Sequence, residues 1–390
     1  MSNVCKSSFA GTLLVTLAAA IVASPVLAIP PDPDNAALLY YQGFLTLAQL
    51  SDEARDRIGD VARGETAPDD QVREDIGKCV GAIEFAEAAA QVPACNWGVR
   101  YSQGFDALMP QMAQMRFMTF VLVADARVRA ADGDYRGSLE RCLMTETFAR
   151  HIGDDTFISY LVSISVRGLE YKCMQEIVGR AAGDAVLLQW LKDELATSDI
   201  VTVSLVRPLK IEIEIVNDLM RMDNVEKLAR VLADSDEKKA AEIVRAADEK
   251  TLERARRIYT ERMNSALTIL STSMPYEQAH SRLKQLPDGF DPNDPASMTA
   301  RAFVPALDKI LSQKTATETH TNAIKAAIEM LLSRAKTGQL PDALPSGLPK
   351  DAFSGQDFEY EKTKEGFVLR CRAKDLDKDE VHQYEFKVPK

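Results

Sequence analysis

Proton transfer near neutral pH is the ordinary work of histidine, and this sequence has four: His151, His280, His320 and His382. No two fall in an HxxxH or HExxH pattern, so no helix turn presents a pair to a metal ion. Carboxylate pairs fare no better. Glu212 and Glu214 stand two apart, which on a helix turns them about 200° from each other, and Glu214 with Asp218 shares a face on which nothing shifts either group. The sequence has no GxSxG elbow, no SxxK between serine-rich strands and no GxxxxGK phosphate loop. No residue pattern asks for a cofactor.

Two short segments remain as places where a ligand could be held. Cys95-Asn96-Trp97-Gly98 puts one of two tryptophans in a loop between helical stretches, where the indole can plug the top of a hairpin or form the wall of a binding site. Asp351-Ala-Phe-Ser-Gly355 offers too few oxygen ligands for calcium and suits a tight turn anchored by Phe353. Cysteine chemistry is limited to Cys79, Cys95, Cys142, Cys173 and Cys371 once Cys5 is set aside with the leader described below. The set admits one or two disulfides, with Cys79–Cys95 as the candidate pair, or serves as small buried apolar residues. No CxxC or Cys/His spacing fits zinc.

These residues must be positioned mainly by helices. Asp34 or Asn35 caps a first helix with Leu38, Tyr41, Leu45 and Ala48 along one face. A second helix is predicted over 69–92, ending before Pro93, and a third over 106–131. Asp132-Gly133-Asp134 closes one helix and starts another, and Arg180-Ala-Ala-Gly-Asp184 repeats the junction with its glycine 50 positions later, which is the connection of an antiparallel hairpin. Helix continues through 205–222 and over a charged stretch at 236–270, where acids and bases interleave as on a solvated face. Four prolines loosen 273–297. The last helix, over 317–337, carries the stripe Ile324, Ala327, Ile328, Leu331, Leu332 and Ala335, and Gly338 stops it. Beyond the prolines at 341, 345 and 349, alternation at Phe358 and Tyr360, at Phe367, Leu369 and Cys371, and at Tyr384, Phe386 and Val388 predicts three antiparallel strands packed on the preceding helix.

Compartment follows from the first 28 residues. Lys6, an apolar run from Phe9 to Val22 and a small-residue end at Val26-Leu27-Ala28 form a secretory signal peptide cleaved after Ala28. That run is shorter than the roughly 20 residues of a membrane span, and no later segment approaches one, so no integral span is expected after cleavage. A net charge of −11 disfavours nucleic acid as a partner.

The sequence resembles a group of uncharacterised exported bacterial proteins that share a Cys-Asp-Trp-Gly loop, a Gly-Asp helical junction, and a C-terminal segment with prolines, Asp-Pro-Phe-Ser-Gly and Gly-Phe. Here these stand as Cys95-Asn-Trp-Gly98, Gly133-Asp134, Leu348-Pro-Lys-Asp-Ala-Phe-Ser-Gly355 and Gly366-Phe-Val-Leu369, with Asn96 and Ala352 in place of the usual Asp and Pro. The C-terminal segment is also similar to the end of type II secretion pseudopilins, where a helix leads through a proline-rich turn into a small sheet. The resemblance implies export and architecture, and no activity.

The expected fold is mainly α: antiparallel helical hairpins, tetratricopeptide-like or an irregular array, with a small C-terminal β-meander. Its parts are a signal peptide (1–28), a hairpin domain (29–272), a proline-rich connection (273–297), C-terminal helices (298–337) and a β-rich module (338–390). The leading expectation is an exported, non-enzymatic scaffold binding a protein or peptide in the cell envelope. The others are an envelope hydrolase or sugar-binding enzyme with its site near Trp97, and a structural component of a surface or secretion assembly.

Overall fold

The computed structural model describes residues 32–47, 50–107, 109–153, 156–197, 204–233, 241, 243, 245 and 247–388. The leader expected over 1–28 and the face position Ala48 lie outside them. Local chemistry sets the helix starts. The Asn35 side chain accepts the Ala37 N–H and opens α1 (Ala36–Thr46); Ser51 does the same for α2 (Asp52–Arg63), and Asp69 for α3 (Asp70–Gly77). Then come α4 (Val80–Ala90), α5 (Gln111–Ala131), α6 (Tyr135–Gly153), α7 (Phe157–Arg180) and α8 (Ala185–Thr197). The chain continues through α9 (Val206–Leu219), α10 (Val225–Ala233), α11 (Glu249–Ser271), α12 (Tyr276–Gln285), α13 (Pro295–Arg301) and α14 (Leu307–Thr337). Strands β1 (Glu359–Thr363), β2 (Gly366–Arg370) and β3 (Gln383–Lys387) form an antiparallel meander in sequence order.

Successive helices pack as antiparallel hairpins: α5 on α6, α6 on α7, with α1 against α4 and α2 against α5. Their apolar faces, together with α8, α14 and the sheet, enclose one large core that includes Tyr40, Met118, Phe148, Ile324 and Phe367. A second core around Tyr259, Leu209 and Phe290 joins α9, α11 and α13 to the first turns of α7 and α14. The mainly helical architecture with its small terminal sheet is thus the one that hydrophobic spacing predicts.

Several boundaries and faces differ from expectation for identifiable reasons. The buried stripe of α1 is Ala37, Tyr40 and Phe44, while Leu38 and Leu45 are 50% and 78% exposed. This helix is apolar nearly all round, so two registers satisfy the same period, and stacking on Trp97 selects the aromatic one. The helix expected over 69–92 breaks at Lys78–Cys79, where buried Asp75 collects Arg57 and Lys78. Of the charged stretch expected over 236–270, residues 236–240, 242, 244 and 246 lie outside the described residues; Ala241, Ile243 and Arg245 are helical, and α11 starts afresh at Glu249, where extended Asp248 turns its carboxylate onto the Thr251 N–H as a cap. α2 and α10 were not foreseen, and α12 occupies much of the proline-rich 273–297. Finally, the sheet rests mainly on α7 rather than on the preceding α14. Gly179 makes this fit, since a Cβ there would stand 2.5 Å from the Lys387 carbonyl oxygen.

Candidate functional site

The largest of the described grooves, about 750 Å3, runs between α4, the end of α5, α6 and α8. Its position follows from the Gly-Asp junction. Gly133 takes φ +84° to end α5, and Asp134 caps α6 by accepting the Gly137 N–H, so Arg129 and Arg136 emerge on either side of the turn. The second junction shares only the cap: Asp184 accepts the Leu187 N–H, but Gly183 keeps negative φ.

Electrostatics in the groove are built around one buried acid. Asp125 receives Arg129 Nε at 3.0 Å and Arg141 Nε at 2.7 Å, and the buried Arg141 reaches outward to Glu87 at 2.8 Å. On the facing wall the Arg136 guanidinium lies 3.5 Å from the centre of the Trp190 ring, whose Nε1 donates to Glu194 at 2.9 Å. Arg136 also pairs with Glu140. Glu84, Glu87, Glu140 and Glu194 thus outnumber Arg129, Arg136 and Arg141 along the lining, and Asp125 and Asp134 add negative charge behind them. With Leu143, Met144 and Ala88 between these charges, the surface offers apolar contact and complementarity to a cation.

Trp97 lies elsewhere and is 5% exposed. Its ring stacks on Tyr40 and Phe44, and its Nε1 donates to the His151 carbonyl at 2.7 Å. Asn96 is tied to Asn35 in both directions and accepts the Gly98 N–H, so the loop Cys95–Gly98 plugs the end of the α1/α4 pair, and none of its residues lines the three described grooves. Cys79 stands at the start of α4 and Cys95 beyond its end, so the length of the helix separates the candidate pair.

Three of the four histidines are held by polar partners, and the fourth, His280, is buried beside Tyr276 with its Nε2 unpartnered. His151 Nδ1 sits 3.0 Å from the Tyr40 hydroxyl, and burial, aided by Arg150, lowers its pKa to about 4. His320 contacts Gln175 at 2.7 Å; burial and His382 bring it down to about 3. His382 pairs with buried Asp375 at 3.1 Å, and the Tyr276 hydroxyl stands 2.6 Å from Ser312 and 3.4 Å from Asp375. Serine, histidine and aspartate therefore meet, but Tyr276 stands between Ser312 and the histidine, so no base reaches the serine hydroxyl. The cluster fastens the 371–382 connection to α12 and α14. Glu214 and Asp218 are exposed, as expected, and Asp351 organises its turn by accepting from Phe353 N, Ser354 Oγ and Arg372 N.

A further polar column lies between α6 and α7. Arg167 Nε and Nη2 both reach Glu146, at 2.9 and 2.8 Å, and Tyr171 donates to the same carboxylate at 3.0 Å. Glu170 is wholly buried beside them with neither oxygen hydrogen-bonded, and burial, then Glu146, push its pKa well up. Sequence reading missed both this column and the groove. The only available signals were the i,i+4 pair Arg136–Glu140 and the second tryptophan.

Among the described residues no cluster of His, Cys, Asp and Glu is placed to hold a metal, and no helix is long and apolar enough to cross a membrane. Comparison of the chain with protein-family models, curated proteins and solved structures returns no match.

Proposed function

We propose that this chain is an exported, non-enzymatic helical scaffold that holds a segment of another envelope protein in the groove between α4, α6 and α8. The observation that carries the reading is the groove itself: an open, excess-acidic channel with a Trp190 wall and apolar strips between its charges. Such a surface suits an extended peptide bearing lysine or arginine, whose cations meet Glu84, Glu87 and Glu194 while its apolar side chains cover Leu143 and Met144. His151, His320, His382 and the buried acids Asp125, Glu146 and Asp375 are engaged with neighbours, which supports binding over catalysis. Export rests on the basic, apolar and small-residue order of residues 1–28.

A photo-crosslinking amino acid placed at Glu84, with Glu277 on α12 as the control, tests this in cells. The expected result is a discrete adduct from Glu84 alone, lost on Trp190→Ala or Arg136→Glu. No adduct, or one indifferent to both substitutions, overturns the proposal.

A further inference from the structure

The Arg167–Glu146 pair fixes the register of α6 against α7. One helical turn before Glu146 stands Cys142; six residues beyond Arg167 stands Cys173. Because the helices run antiparallel, these steps of about 6 and 9 Å lead the same way along the interface. Both side chains face the interior there, each residue 1% exposed and both held as thiols, with Cys142 against Cys173 and Arg127 beside the two. The remaining cysteines sit apart. Cys79 donates to the Asp75 carbonyl at the start of α4, Cys95 lies in the Trp97 loop, and Cys371 lies against Asp351.

We propose that Cys142 and Cys173 close as a disulfide that staples α6 to α7. The step is a thiol–disulfide exchange. Two S–H bonds and the S–S bond of an aliphatic disulfide oxidant break, the Cys142–Cys173 bond forms, and the oxidant leaves as two thiols carrying both electrons and both protons. Burial keeps both sulfurs from an oxidant once the helices are packed, so the bond forms while the hairpin closes. It encloses the α6–α7 turn and residues 143–172, a long loop whose freedom in the unfolded chain the cross-link removes. Export to an oxidising compartment supplies the setting, but the geometry is independent of the groove and of localisation.

The test therefore uses purified full-length chain, unfolded and reduced, then refolded in a glutathione redox buffer, acid-quenched, alkylated in denaturant and mapped by mass spectrometry. The expected map joins the Cys142 and Cys173 peptides and leaves Cys5, Cys79, Cys95 and Cys371 alkylated. Native circular dichroism with Cys142 and Cys173 both alkylated, or with either joined to another cysteine, overturns the assignment. In the oxidised protein, dithiothreitol should lower the thermal midpoint of wild type but not of C142A/C173A. An equal response from both also overturns it.

Discussion

Replacing Arg167 by methionine tests whether the α6–α7 interface depends on charge compensation. Arg167 is 4% exposed and makes four hydrogen bonds, three to the Glu146 carboxylate and one from Nη1 to Ser163 at 3.2 Å. Methionine fills much of the volume but leaves Glu146 buried with only the Tyr171 hydroxyl, and with Glu170 close by. Removing one partner of a buried pair costs about 3–5 kcal/mol, because the surviving charge has lost its counter-ion but not its desolvation penalty. Glu146→Gln combined with Arg167→Met removes both charges and should cost markedly less than the two single changes together, a coupling of about 2 kcal/mol. With a urea slope of about 3 kcal/mol/M, the single variant's midpoint should fall by roughly 1 to 1.7 M. Urea titrations followed by far-ultraviolet circular dichroism measure all four chains of this cycle. A shift below about 0.3 M for Arg167→Met, or a double variant at least as unstable as the summed singles, would refute the reasoning.

Glu170→Gln should change the pH dependence of stability more than its level in acid. Burial raises the folded pKa of Glu170 above its unfolded value, so the folded chain holds an extra proton between the two, and wild-type stability falls as pH rises from about 4.3 through the folded pKa. The variant lacks that titration, so its stability curve should be flatter over that window; parallel curves from pH 4 to 8 would contradict the assignment. Trp97→Ala should cost about 3–5 kcal/mol by opening a cavity against Tyr40 and Phe44, whereas Trp97→Phe should lose mainly the hydrogen bond to the His151 carbonyl, about 1 kcal/mol. Thermal unfolding compares the two.

Architecture was legible in the sequence wherever a period was long or a cap was strong. The stripe from Ile324 to Leu332, the Gly338 stop and the alternation of the three strands have few competing solutions, so local pattern and tertiary packing agree. α1 shows the opposite case: its sequence is apolar on every side, and only the arrival of Trp97 decides which residues face inward. The site was less accessible still. Arg129, Arg136, Glu87 and Trp190 come from four helices, and their spacing along the chain bears no relation to their meeting. The same holds for Glu146, Arg167 and Glu170, which on a linear reading look like ordinary surface charges. Helical periodicity predicts which residues turn inward, but not that an ionised residue will be placed among them.

The docking of β3 on α7 joins segments that are far apart in the chain. Gln175 donates to the Glu385 carbonyl across 210 residues, and Gly179 leaves its backbone bare for Lys387. One strip of α7, around Gln175 and Gly179, is therefore covered only once β3 has docked, while α5, α6 and α14 cover the rest of the helix. A chain lacking β3 leaves that strip of α7 open to solvent and more accessible to proteases and chaperones.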